Sequence, residues 1–396
     1  MKQKKSLVQK KSLVMLGVAV LILSLLAVSS VTVWGQKAQE KPIKLGVLID
    51  FTGPMSFAGQ PVVDGVKMRL EEAGYKVAGR TIQLVVEDSA TDASVAVEKA
   101  KKMVEKDGVS FIIGPMISGM RMAVIPYLAK QKILTSAIHS DPLESSEFGN
   151  NLIFPSTLTM DSLPVAEYAS KVLGYRTATC IGADYNAGHE YIDTLAKQFE
   201  SMGGKAIQKQ WAPLGTMDWA PYLTNLKKAD CVAVWTIDSD IVPFMQQYKS
   251  FGLTMPLIMP QANVITSAIV AEKGESVKGI IGNITYHYNL DYPANKKFVA
   301  DFKAKYKRMP EHHEAHPYII TSMFLAGLEK TKGDTSFDKL KKAILSLKMD
   351  TPEGPISIDP NMVVRANKHV CDIQKVNGVW VWHTLKTYVQ PRDPAY

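Results

Sequence analysis

From Ile43 onward, short apolar runs alternate with stretches whose apolar residues recur every three or four positions. Ile43–Ile49 predicts a strand that stops at the turn-forming Asp50-Phe51-Thr52-Gly53-Pro54. Val63, Val66, Leu70 and Ala73 then follow at helical spacing as far as Gly74. Thr81–Glu87 alternates at Ile82, Leu84 and Val86, and Asp92 is placed to cap a helix reaching Lys106. The next apolar run, Phe111–Ile113, ends at Gly114-Pro115, and Ser118-Gly119 opens about a dozen residues of helical pattern. A further run, Ile133–Ile138, ends at His139-Ser140-Asp141-Pro142. Two strands joined by one helix build parallel sheet, and ligands of open α/β sheets sit beyond the carboxyl ends of the strands. Ser118, His139, Ser140 and Asp141 stand at those ends and are candidate contacts for a small polar ligand.

A second series follows the first. Asn151–Phe154 leads into a helical stretch near Asp161–Leu173, then a strand at Thr177–Gly182 and a helix running to Met202. Strand Ala206–Trp211, helix Trp219–Lys228, strand Cys231–Thr236, helix Ile241–Phe251 and strand Leu257–Met259 continue the alternation to about Ile281. Gly282–Pro293 is rich in tyrosine and lacks helical period, as suits a return crossing between two lobes. Helices are predicted at about Ala294–Tyr306, Ala315–Lys330 and Phe337–Leu347. Thr351–Pro360 reads as turns, and Val370–Val376 with Val379–Thr384 reads as a hairpin about Asn377-Gly378. With 396 residues and no low-complexity linker, two lobes exchanging strands fit better than beads on a string.

Charge changes little in this picture. Five lysines precede Gly35, so the chain beyond it carries +3 rather than +8. No basic patch interleaved with aromatics is present, which argues against nucleic acid as a partner. Those lysines, the apolar Leu13–Val28 and the small residues after it read as an export signal over residues 1–35, an uncleaved anchor being the other reading. Either one places the body outside the cytoplasm. Cys180, Cys231 and Cys371 lie in apolar runs, as buried free thiols or as one disulfide with an odd thiol.

Leu45-Gly46-Val47 with Thr52-Gly53-Pro54 and Gly59, Glu87-Asp88-Ser89, Ile113-Gly114-Pro115 with Ser118, Asp184-Tyr185 with Gly188, Thr351-Pro352-Glu353-Gly354 and the closing hairpin fall in a telling order. Together they resemble the type I periplasmic solute-binding proteins of ABC transporters, in the branch that binds branched-chain amino acids. The resemblance covers nearly all of Ile43–Leu385. It implies an α/β fold of two Rossmann-like lobes, parallel sheets flanked by helices, joined by a three-segment hinge near Phe154–Thr157, Tyr286–Pro293 and Asn361–Lys368. Lobe 1 would take residues 43–156 and 290–365, and lobe 2 residues 157–289 and 366–396. It further implies a periplasmic, monomeric receptor that hands its ligand to an ABC permease, with no cofactor, no metal and no catalysis. Ligand-contact positions carried over are Ser118 and the turn His139–Asp141 on one lobe, Tyr185, Gln261 and Trp235 on the other, and Phe57 in the first loop.

The sequence departs from that pattern at the ligand. Asp141 stands where a threonine is usual, and Gln261 where an acid pairs with the ligand's ammonium. The implied ligand is therefore an amino acid, an aromatic or other small carboxylate, or an amide. Structural readings stand beside these. Ser118 can cap the following helix. Asp141 with Pro142 and Glu144 forms a capping pattern. Tyr185 and Trp235 suit packing as well as a pocket, and His312, His313 and His316 invite a metal reading but, standing before a helical stretch with no partner cluster, read as a solvated turn. A hydrolase lacks its Gly-x-Ser-x-Gly elbow, and nucleotide chemistry lacks its glycine-rich cradle. A ligand-sensing domain reporting to a membrane partner is the alternative role for the same fold.

Overall fold

Strand β1 (Ile43–Ile49) takes parallel partners on both edges, β3 (Arg80–Asp88) and β4 (Phe111–Ile113), with Leu45 opposite both Leu84 and Phe111. A computed structural model describes residues 41–139 and 150–393, so the leader, Ser140, Asp141 and Glu144 lie outside the described residues. Side chains alternate across a strand, and here both faces are covered. Ile43, Leu45, Val47 and Ile49 pack on α1 (Gly59–Glu72) and α10 (His312–Thr331), while Leu48 joins Ile112 against α2 (Ala93–Lys102) and α3 (Ser118–Lys130). Burial on two sides is why these strands read as nearly continuous apolar runs. Short strands β2 (Lys76–Val77), β5 (Leu134–Ser136) and β6 (Leu152–Ile153) complete a six-stranded sheet in the order β2-β3-β1-β4-β5-β6.

The second sheet is built in the same way. Its parallel strands are β7 (Thr177–Ala183), β8 (Lys205–Ala212), β9 (Cys231–Trp235), β10 (Leu257–Met259) and β11 (Ile280–Ile284). The hairpin β15 (Lys368–Val376) and β16 (Val379–Tyr388) adds antiparallel to β11, giving the order β16-β15-β11-β10-β9-β7-β8. The chain leaves the first sheet after β6 for α4 (Leu158–Glu167), which packs on α5 (Asn186–Ser201). It returns after β11 to α9 (Pro293–Tyr306) and α10, the latter lying along α1. It passes over again from β14 (Val364–Arg365) into β15. Where these passages meet, Lys368 Nζ lies 2.8 Å from Asp161 Oδ1, both side chains fully buried, and Ser156 Oγ donates to the same oxygen at 2.8 Å.

Three sequence readings are corrected. Thr351–Pro360 is not merely turns: β12 (Lys348–Thr351) and β13 (Gly354–Ile358) pair about Pro352-Glu353, and β13 also holds β14. The helix expected over Trp219–Lys228 is a single turn, Ala220–Leu223, because Gln208 Oε1 takes the Lys227 N–H at 2.7 Å and diverts it from a helical ladder. Helix α10 begins at His312, three residues before the apolar period shows it, because Glu311 N–H donates to Glu314 Oε2 at 2.8 Å and closes the first turn. Among the expectations met, Asp92 caps α2, accepting from the Ser94 and Val95 N–H groups, and all three cysteines are buried free thiols.

Candidate functional site

A cavity of about 360 Å³ opens between the carboxyl ends of the two sheets. From the first sheet it is lined by Phe57, Ser118, Arg121, His139, His312 and His313, and from the second by Tyr185, Trp235 and Gln261. Six positions singled out from sequence, Phe57, Ser118, His139, Tyr185, Trp235 and Gln261, thus share one wall system. Ser140 and Asp141 follow His139 but lie outside the described residues.

Gly114 lets β4 end against β1, since a Cβ there would lie 2.1 Å from the Leu48 carbonyl oxygen. The chain then turns into α3, whose N-cap is Ile117, extended and without a side-chain cap. Ser118 is therefore the first helical residue and not the cap. Its Oγ accepts from Arg121 Nη2 at 3.3 Å, which leaves the hydroxyl proton available to an anion. Arg121, one turn further and 1% exposed, also donates to the carbonyls of Pro115, at 3.0 Å, and Met116. The N–H groups of a helix start, a hydroxyl and a guanidinium on one wall form an anion-attracting end.

The opposite wall is aromatic. Tyr185 is the extended residue before α5, with its ring 5.9 Å from Trp235, and Tyr191 stacks on Trp235 at 4.6 Å. Trp235 ends β9, so it packs in the core and faces the cavity at once. Gln261, just after β10, is nearly buried and neutral at every pH. Phe57, an exposed residue of the lining, is tilted on His313 at 5.7 Å.

His312, His313 and His316 do not form a solvated turn. They are buried in the first turns of α10 because Gly65 of α1 permits contact: a Cβ on it would lie 2.2 Å from the Glu314 carbonyl oxygen. The His139 ring lies 5.4 Å from His312 and 5.1 Å from His313, which are themselves 3.9 Å apart. His316 is engaged otherwise, with Nδ1 3.0 Å from the Ile138 carbonyl oxygen and Nε2 3.2 Å from Thr285 Oγ1, and Glu353 Oε1 lies 2.6 Å from the same Nε2. Part of the His139 surface opens to the cavity, yet its depth there holds its pKa well below the usual imidazole value, helped by His313, His316 and Arg121. Burial likewise lowers His312, and takes His313 down to about 3 with His316 contributing. These imidazoles are neutral at pH 7. Arg121, His312, His313 and Glu353 were not singled out as ligand contacts from sequence. For Arg121 the available signal was its place one turn after Ser118 in an otherwise apolar helix.

A model of the family described as periplasmic binding protein matches residues 42–377. Leu/Ile/Val-binding protein homolog 6 of Brucella suis biovar 1 (strain 1330) is 24% identical over 367 residues, 89% of this chain and 93% of that one. An ABC transporter substrate-binding protein from Sphaerobacter thermophilus superposes with a TM-score of 0.84 at 26% identity, covering 88% of this chain and 98% of that one. A solute-binding protein of an ABC transporter from R. palustris, solved in complex with 4-hydroxybenzoate, gives 0.80 at 25% identity with the same coverage.

Proposed function

The chain belongs to the periplasmic binding protein family, and from that premise we propose that it captures a small aromatic carboxylate between its two lobes and delivers it, outside the cytoplasm, to an ABC-type permease. What carries the reading is the polarity of the cavity. One end offers Ser118, the α3 N-terminus and Arg121, and the other is flanked by Phe57, Tyr185 and Trp235. At about 360 Å³ the cavity is near the small end of the roughly 300–1,000 Å³ range of small-ligand pockets, which suits a single ring. Gln261 supplies no anion for an ammonium, and an unpaired charge in a closed cleft is costly. The R. palustris relative bound to 4-hydroxybenzoate lends support from outside the chain.

In this reading Ser118 and Arg121 take the carboxylate, the three aromatics flank the ring, and His139 and Gln261 serve a ring substituent. Ser140 and Asp141, which follow His139 in the sequence, are assigned to the same ligand. Lobe 1, residues 43–156 with 290–365, and lobe 2, residues 157–289 with 366–396, close about the three passages because the ligand touches both. Residues 1–35 direct export, and no bond-making step is assigned to the site.

A thermal-melt screen of benzoate, 4-hydroxybenzoate, leucine and small amides tests the proposal. The benzoates should raise the melting temperature, by the equivalent of about 2.7 kcal/mol at a hundredfold excess over Kd. Stabilisation by leucine and not by either benzoate would overturn it.

A further inference from the structure

The three imidazoles at the cavity wall have more in common than position. His139 comes from the end of β5, whereas His312 and His313 open α10, so the fold brings them together from distant parts of the chain. His312 and His313 are 3% and 7% exposed. Among the described residues, His139 Nε2, His312 Nδ1 and His313 Nδ1 are buried without a hydrogen-bond partner. A buried polar atom left unpaired is costly, and stacking does not relieve the cost, because ring contact engages the faces and not the in-plane nitrogens. Three such nitrogens in one cluster ask for a shared partner.

We propose that His139, His312 and His313 form a three-imidazole site for a divalent transition-metal ion of the Zn²⁺, Ni²⁺ or Cu²⁺ type, with its open coordination position facing the cavity. One ligand atom from each of the three lies within 4.8 Å of the others. Bonds of about 2.0–2.1 Å at tetrahedral angles set the nitrogens about 3.3 Å apart, so each pair has about 1.5 Å or less to close. Imidazole suits this group of metals. His316 already uses both nitrogens, on the Ile138 carbonyl and Thr285 Oγ1, and is not counted as a ligand.

Three protein ligands and one open position are the arrangement of sites that take up a further ligand, unlike closed structural sites with four. Only the identity of that further ligand rests on the reading above: the oxygen of the ring substituent placed beside His139 completes the coordination, while the carboxylate stays on Ser118 and Arg121. The cargo is then a metal–carboxylate pair, and its anion offsets the repulsion between the ion and the Arg121 guanidinium across the same cavity.

The test uses the exported chain without a polyhistidine tag, stripped with a chelator. Titration with ZnCl₂ by calorimetry, and with CoCl₂ by visible absorption, should show one ion per chain. His312→Gln and His313→Gln should each weaken Zn²⁺ binding by more than about tenfold. His383→Gln, on β16 and far along the chain from the cluster, should leave it unchanged. Circular dichroism and melting of the metal-free variants separate lost ligands from lost fold. If either helix variant fails to fold, His139→Gln, which lies outside any helix, takes its place. Absence of stoichiometric Zn²⁺ binding by the wild-type chain overturns the proposal, as does equal binding by the folded histidine variants. Titration with 4-hydroxybenzoate is run alongside. Zn²⁺ binding without benzoate binding leaves the metal site standing and removes the aromatic-carboxylate reading, and the reverse result removes only the metal site.

Discussion

Arg121 shows what a single residue can hide from a periodicity argument. Val124, Ile125 and Leu128 follow it by three, four and seven positions and are buried, so helical spacing sets it on the inward face of α3 while its charge argues for the outward one. In the fold it turns inward beside Ser118. Arg121→Gln should cost roughly 2–5 kcal/mol in 4-hydroxybenzoate affinity, the usual loss on truncating one partner of a buried charge pair. Unchanged affinity by calorimetry would remove Arg121 from the site. The thiols make a prediction about pH. Burial first of all pushes Cys180, Cys231 and Cys371 each up to about 12, against about 8.5 in an unfolded chain. A raised folded pKa gives stability that is complete below the unfolded value and is lost as pH rises toward the folded one. Chemical unfolding should therefore show falling stability from about pH 8.5 upward, and the native chain at pH 7 should resist alkylation until it unfolds. Rapid labelling of the folded protein would contradict the burial.

Among the elements, strands were legible and helix starts less so. Ile43–Ile49 and Leu257–Met259 agree residue for residue, because apolar runs bounded by turns leave little freedom. The start of α10 was not legible, since its first turn is closed by Glu311 and Glu314 and not by the serine, threonine or asparagine that usually marks an N-cap. That misplacement of three residues is what made a buried histidine cluster read as a solvated turn. Gly65 is the matching element on α1. Gly65→Ala should destabilise the protein by about 1–3 kcal/mol through overpacking on the Glu314 carbonyl, seen as a lower midpoint in urea. At the passages between sheets, Lys368→Met should cost about 3–5 kcal/mol in the same measurement, because Asp161 would be left as a buried charge. A midpoint within error of the wild type would mean that Ser156 and the other neighbours of Asp161 satisfy it without Lys368.

For the whole molecule, two βαβ series in sequence were enough to foretell two sheets. The crossings were harder to see, since the residues that make them, such as Phe154 bridging Val363, pair over some two hundred positions. The ligand cavity was legible only as far as its strand ends, because its histidine floor comes from a helix that the first sheet borrows from late in the chain. That borrowing has a consequence for the order of events at the ribosome. The core beside β1 needs Ile319–Leu328 from α10 and Ile356–Val364 from the small sheet before it is filled. The first-made strands must wait for some of the last-made residues, and long-range pairing of this kind is slow. A nascent chain halted near residue 300 should be cut readily by protease within 43–130, and one halted past residue 366 should resist there. The amino-terminal half, although synthesised first, is then the half that stays longest in a loose and threadable state.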